Sequence, residues 1–215
     1  MPEPERLPKF TRTARAVHWL HALGFMTLLV TGLIIFIPAL SAQVDHRPVI
    51  RQLHILVGVE LVLGPILVAA LGNLRAVWED VKEVDTWDDD DFEWVKRTIG
   101  IARQVFGERV PQGRFNAGQK LNSIFTAATL LGFLATGIIM WQFKRFPVWL
   151  VENANVLHDW LTIAVLLVWL GHVYLAVANP GTRESLRGIT LGWVKAGWAQ
   201  EHHRKWYERV VDKGK

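Results

Sequence analysis

Four apolar segments, each close to the length that crosses a lipid bilayer, constrain this 215-residue chain more than any other feature. About 20 apolar residues cover a hydrocarbon core of about 30 Å, and such runs fall at roughly 17–41, 51–73, 118–141 and 154–178. A spanning segment must satisfy its own backbone amides, which makes each run a helix. The expectation is an all-α integral membrane protein, one four-transmembrane-helix bundle over residues 1–215, and 51% hydrophobic residues fit that class better than a soluble one. The connection 74–117 is long enough for helices of its own, and the tail 179–215 carries an amphipathic pattern. Residues 1–16 are polar, and the apolar run that follows is too long for a cleaved signal segment, so it is expected to stay as the first span.

An even number of spans puts both termini on one side. Twenty of the 24 Lys and Arg fall in the N-terminal arm, the 75–120 region and the tail, against Arg47, Arg51, Lys144 and Arg145 on the opposite side. The positive-inside rule therefore makes both termini cytoplasmic. The net charge of +4 follows from that bias and gives no reason to invoke nucleic acid. Several of the eleven tryptophans, among them Trp19, Trp141, Trp149 and Trp160, flank the spans where interfacial anchors belong. The chain has no cysteine, which excludes disulfides, cysteine-held iron–sulfur clusters and covalently attached haem.

Histidines inside apolar spans are costly and mark functional sites. His18 and His172 lie near the cytoplasmic ends of spans one and four, while His54 and His158 lie near the outer ends of spans two and four. His158 and His172 are 14 residues apart, about 21 Å along a helix and within about 40° of one face. The depths pair His18 with His172 and His54 with His158, the arrangement of two six-coordinate b-type haems stacked across the bilayer. Gly24, Gly58, Gly137 and Gly171 would let a flat macrocycle approach the backbone. His21 shares nearly the same face as His18, and position alone favours neither. The alternative is snorkelling or hydrogen-bonded histidines without iron.

Ahead of span three, Asn116 and Gln119 offer donors for a quinone carbonyl, and Lys120 a charge to stabilise a reduced quinone. Equally, Asn116 suits a helix cap and Lys120 the positive-inside bias. Asp88 to Asp91 read as a solvated acidic turn. The tail is expected either on the membrane surface or against a partner subunit, with His202 and His203 at that surface or interface.

At these residues the chain resembles the cytochrome b (gamma) subunits of membrane-bound respiratory formate dehydrogenases. The resemblance runs from Arg15-Ala16-Val17-His18-Trp19 through Arg51-Gln52-Leu53-His54, Phe115-Asn116-Ala117-Gly118-Gln119-Lys120, Leu157-His158 and Gly171-His172-Val173-Tyr174. It ends in the tail at Trp198 to Tyr207, and the Asn116–Lys120 stretch and this tail are its most specific parts. It implies four spans and two b haems, the cytoplasmic one on His18 and His172 and the periplasmic one on His54 and His158, favouring His18 over His21. It places a quinone, menaquinone or ubiquinone, beside Asn116 and Gln119. It implies an iron–sulfur beta subunit, a molybdenum or tungsten pterin alpha subunit that oxidises formate, a higher-order complex, and a bacterial inner membrane with its lipid. The stretch 85–93 matches no motif of that family. Cytochrome b subunits of nickel–iron hydrogenases suit the same histidine spacings, and a haem-free anchor or small transporter is the rival from another class.

Overall fold

The computed structural model describes residues 5–99 and 110–213. In chain order its elements are β1 (Arg6–Pro8), α1 (Arg12–Phe36), α2 (Pro38–Ser41), α3 (Arg47–Leu71), α4 (Leu74–Asp85), α5 (Asp89–Ile99), α6 (Ala117–Trp141), α7 (Val148–Val173), α8 (Ser185–Leu191), β2 (Trp193–Lys195), α9 (Ala196–His202) and α10 (Arg204–Lys213). Helices α1, α3, α6 and α7 are long and apolar enough to span a membrane, the last continued by the π-helical turn Tyr174–Ala178. Their apolar side chains point outward. Leu56, Leu67 and Leu71 on α3 are exposed by 67, 58 and 88%, the reverse of a soluble core and the surface that lipid covers. The chain is an integral membrane helical bundle.

The spans start earlier than the apolar pattern suggests. α1 begins at Arg12 and stops before Pro38, which opens α2 instead. α7 begins at Val148, taking in Asn153 and Asn155 because their side-chain amides donate to the Trp149 and Val151 carbonyls of the same helix. Thr27, Thr31, Thr126, Thr136 and Thr162 return hydroxyl protons to their own helices in the same way. The last residues of the first expected span, 38–41, instead form the separate short helix α2, so that span closes at Phe36. Part of the loop expected to hold its own helices, residues 100–109 with Arg103 and Arg109, lies outside the described residues.

The chain divides into two compact units. One comprises Thr13–Leu74 and Ala127–Trp169. In it α1 meets α3 where Gly24 faces Leu61 and Glu60, and Phe25 packs on Trp169 of α7 with centroids 6.3 Å apart. α3 ends at Gly72. A Cβ there would lie 2.6 Å from the Thr13 hydroxyl, which accepts the Asn73 amide at 3.0 Å, so the close approach of the two helix ends requires glycine.

The other unit comprises Met1–Arg12, Arg75–Thr126 and Leu170–Lys215. Here β1 and β2 form an antiparallel ribbon with Leu7 opposite Val194, a small addition to the all-α expectation. Leu7, Val194, Ala196, Ala199, Trp206 and Tyr207 make its core. The tail thus folds on the chain's own N-terminal arm, where its apolar residues were expected to meet a membrane surface or a partner. His203 is correspondingly no surface residue: it is 1% exposed. His202 stacks on Trp198, centroids 4.9 Å apart.

The acidic turn is also structural. Asp88 and Asp91 exchange backbone-to-carboxylate hydrogen bonds of 3.2 and 3.1 Å at the start of α5, a reciprocal cap. Asp91 is buried and holds Lys120 at 2.5 Å; Asp88 and Asp90 hold Lys205 at 2.7 and 2.5 Å. Of the expected solvated turn, Asp91 is withdrawn from water, while the Asp88 and Asp90 side chains stay exposed beside Lys205.

Candidate functional site

Within the first unit the structure brings His54 of α3 and His158 of α7 together, ring centroids 6.3 Å apart and planes tilted by 57°. Each Nδ1 is held by a threonine: Thr31 Oγ1 at 2.9 Å from His54 and Thr136 Oγ1 at 2.8 Å from His158. Both threonine hydroxyls donate their protons to helix carbonyls, Thr31 to Thr27 at 2.7 Å and Thr136 to Gly132 at 2.8 Å. Their oxygens therefore accept, and each imidazole carries its proton on Nδ1. That tautomer leaves the Nε2 lone pairs for a metal, the second-sphere support that ligating histidines need.

The separation can be tested against a shared ion. Two imidazoles binding one metal from opposite sides, with bonds of about 2 Å and each nitrogen about 1 Å from its ring centre, put the centroids roughly 6 Å apart. The observed 6.3 Å is a spacing at which the two rings could hold one metal ion between them. Phe133 meets His158 edge-on at 4.9 Å, and a Cβ on Gly32 would reach His54 Cε1 at 3.4 Å, so the rings sit in a tight apolar frame. Neither threonine was picked out by sequence reasoning. Threonines in spans bond to their own helices so commonly that only the neighbouring helix reveals their second role.

The other two histidines fall in different units. His18 lies half-buried on α1 in the first unit, its ring edge-on to Trp19 at 5.3 Å. His172 lies exposed in the last turn of α7 in the second unit, directly before the π-helical turn, a local irregularity frequent at functional sites. His21 is also half-buried on α1. Of the glycines expected to admit a macrocycle, Gly24 instead lets α3 close on α1, since a Cβ there would meet Leu61 at 2.9 Å. A Cβ on Gly58 would make ordinary contact with Leu28, and one on Gly137 or Gly171 would meet nothing within 4 Å.

In the second unit, residues 112–120 form a densely bonded entry to α6. The Gln119 side-chain oxygen accepts the Asn116 amide at 3.0 Å, and the Asn116 side-chain oxygen accepts the Gln119 amide at 2.8 Å, a reciprocal capping box. Gln112, buried, accepts the Ala117 amide at 2.7 Å. The cap uses the oxygens of Asn116 and Gln119, and their NH2 groups take no part in it. Lys120 is buried, its ammonium given to Asp91 and, at 2.7 Å, to the Thr86 carbonyl. Two of its three protons are thus engaged. Arg114 ties the segment to α4 through Asp80 and Glu83, the latter at 2.8 Å.

Comparison with known proteins matches residues 9–192 to the model of a family described as prokaryotic cytochrome b561. The chain is 29% identical to the Escherichia coli K12 formate dehydrogenase cytochrome b556(fdo) subunit over 219 aligned positions, covering 98% of this chain and 96% of that protein. It is 29% identical to the Haemophilus influenzae formate dehydrogenase cytochrome b556 subunit, covering 96% and 84%. With the nitrate-inducible cytochrome b556(Fdn) subunit of Escherichia coli K12 it shares 25%, covering 91% and 88%.

Proposed function

Since the chain belongs to the prokaryotic cytochrome b561 family, we propose that it is the cytochrome b subunit of a formate dehydrogenase complex in a bacterial inner membrane, carrying electrons across the bilayer to quinone. The observation that carries this reading is the close His54–His158 pair, with each Nδ1 proton fixed on a threonine. The formate dehydrogenase subunits at 29% identity over nearly the full chain support the choice of enzyme.

Two b haems are held in this reading, an outer one by His54 and His158 and an inner one by His18 and His172, with His21 left unliganded. Haem held there would supply one-electron transfer, and ligation by two imidazoles would suit electron transfer rather than oxygen chemistry. His54 and His158 offer neutral Nε2 atoms, and Thr31 and Thr136 keep the rings from turning. The NH2 groups of Asn116 and Gln119 would donate to quinone oxygens. Lys120, its charge largely balanced by Asp91, would add its remaining proton as a third donor. Both termini face the cytoplasm, following the Lys and Arg distribution. In this reading electrons enter from a periplasmic iron–sulfur subunit fed by a molybdenum or tungsten pterin subunit, and the clusters belong to those partners because this chain has no cysteine to hold them.

The test is a dithionite-reduced minus oxidised spectrum of the purified chain with haem quantitation, followed by formate- and hydrogen-driven haem reduction in the copurified complex. Two b haems per chain, reduced by formate, are expected. A folded, haem-free chain would sink the electron-transfer reading, and reduction by hydrogen alone would move it to a hydrogenase.

A further inference from the structure

The reading above leaves unused a pair of buried bases in the second unit. Lys9 is 2% exposed, and its Nζ lies 3.1 Å from Nε2 of His203. On the other side of that ring, Nδ1 lies 2.6 Å from the Gly113 carbonyl. A carbonyl only accepts, so Nδ1 carries the ring proton and Nε2 accepts from the Lys9 ammonium. Rings of Phe10, Trp198 and Trp206 surround Nζ at 5.7, 5.3 and 5.8 Å. The charged and titratable groups that act on the pair are Arg114, Glu83 of α4 and His202 of α9.

Burying a lysine against a neutral imidazole is costly, and a methionine would fill the same aromatic box without that cost. Burial first, then the charge of Arg114, lowers Lys9 to about 7 against the opposing pull of Glu83. Burial and the neighbouring Lys9 hold His203 well below the ordinary histidine range, so the imidazole stays neutral. An acid with that affinity for its proton is suited to giving it up near neutrality.

Three contacts fix the pair against the residues directly ahead of Asn116. His203 holds the Gly113 carbonyl, Arg114 donates to the Lys9 carbonyl at 3.0 Å, and Phe10 packs on Phe115 with centroids 5.6 Å apart. We propose that Lys9, hydrogen-bonded to His203, is the proton reservoir of the quinone site, an inference that rests on quinone reduction by this chain. Reduction of the quinone would take two electrons, supplied one at a time by two successive one-electron transfers from bound haem. One proton leaves Lys9 Nζ and forms an O–H bond on the quinone, and the second comes from cytoplasmic water. The resulting Lys9 amine is recharged from the same water.

The sign is fixed by the lowered lysine: the ammonium is present below about pH 7 and lost above it, so proton supply falls as pH rises through that value. The experiment uses the whole complex, with haems reduced by stoichiometric dithionite and then mixed with a water-soluble naphthoquinone. Haem reoxidation is followed across about two pH units either side of neutrality. The native rate is expected to fall as pH rises through about 7. Lys9→Met is expected to slow reoxidation roughly 100-fold and to flatten the profile with both haem spectra retained. A pH-independent native rate, or Lys9→Met with native rate and profile, overturns the inference. Should Lys9→Met fail to assemble, Lys9→Arg decides, because arginine keeps the charge and does not release its proton: a slow, flat profile supports the reservoir and native behaviour overturns it. Native haems that quinone does not reoxidise at any pH mark failure of the quinone reading itself, a separate result.

Discussion

Two buried histidine arrangements in this chain share one device and differ at the opposite nitrogen. His54 and His158 have Nδ1 anchored on threonine oxygens, and their ring centroids lie 6.3 Å apart. His203 has Nδ1 anchored on the Gly113 carbonyl, and its Nε2 is taken by Lys9. Anchoring fixes the tautomer in both units. What lies near the other nitrogen separates the proposed roles: a second imidazole suits a metal-binding pair, and an ammonium suits a proton carrier. The surroundings follow. Hydroxyls and apolar rings support the first, while buried charges such as Lys120 and Asp91 stabilise the unit that holds the second.

The largest break in that contrast is removal of a ring. His158→Ala should abolish one haem while the other keeps its spectrum, halving the haem measured per chain. Loss of both haems, or of neither, would show that His54 and His158 do not share one iron.

Next in size is the charge pair of the second unit. Lys120→Met leaves Asp91, 2% exposed, without its cation and should cost about 3–5 kcal/mol, read from thermal unfolding of the purified chain. Adding Asp91→Asn should restore part of the loss, because the uncompensated charge is then gone. If Lys120→Met alone is neutral, the acidic turn carries no weight in the fold.

A finer test exchanges a hydroxyl for a methyl group beside the His54–His158 pair. Thr136→Val keeps side-chain shape and removes the acceptor on His158 Nδ1. Haem retention should weaken about 10- to 100-fold in competition with a haem-binding apoprotein. The reduction potential of that haem should rise, since the ring loses the hydrogen bond that makes it a better donor to oxidised iron. An unchanged potential would reduce Thr136 to a packing residue.

How far such pairs can be read from sequence depends on the distance over which they act. The four spans are legible because length and apolarity are local properties, and His54 and His158 because depth in a bilayer orders residues on different helices. Thr31 and Thr136 are not legible: nothing in a threonine's own helix says that its oxygen faces a histidine 23 or 22 positions away. The ends of α1 and α7 are blurred because Arg15, Glu152 and Asn153 look like boundaries while the helix continues through them. The second unit is hidden most deeply. Its ribbon strands are three residues long, below any periodic signal, and they join residues near opposite ends of the chain. Its acidic turn finds Lys120 and Lys205 from 29 and 117 residues away, so charge density alone suggests water where the fold supplies cations.

The smallest structural change gives the sharpest division between capping and quinone binding. Asn116 and Gln119 cap each other through their oxygens, and their NH2 groups stand outside the box. Asn116→Leu destroys both features and cannot separate them. Asn116→Asp keeps the oxygen that accepts the Gln119 amide, and aspartate caps a helix as well as asparagine, so stability should change by less than about 0.5 kcal/mol. Its second oxygen donates nothing and brings a negative charge that opposes one developing on a reduced quinone. Quinone-driven haem reoxidation should therefore fall, with haem content and unfolding temperature unchanged. Gln119→Glu runs the same test from the other end of the box, since glutamate completes it equally well. If both variants turn over quinone at the native rate, the segment ahead of α6 is a cap alone, and quinone must be held elsewhere in the chain.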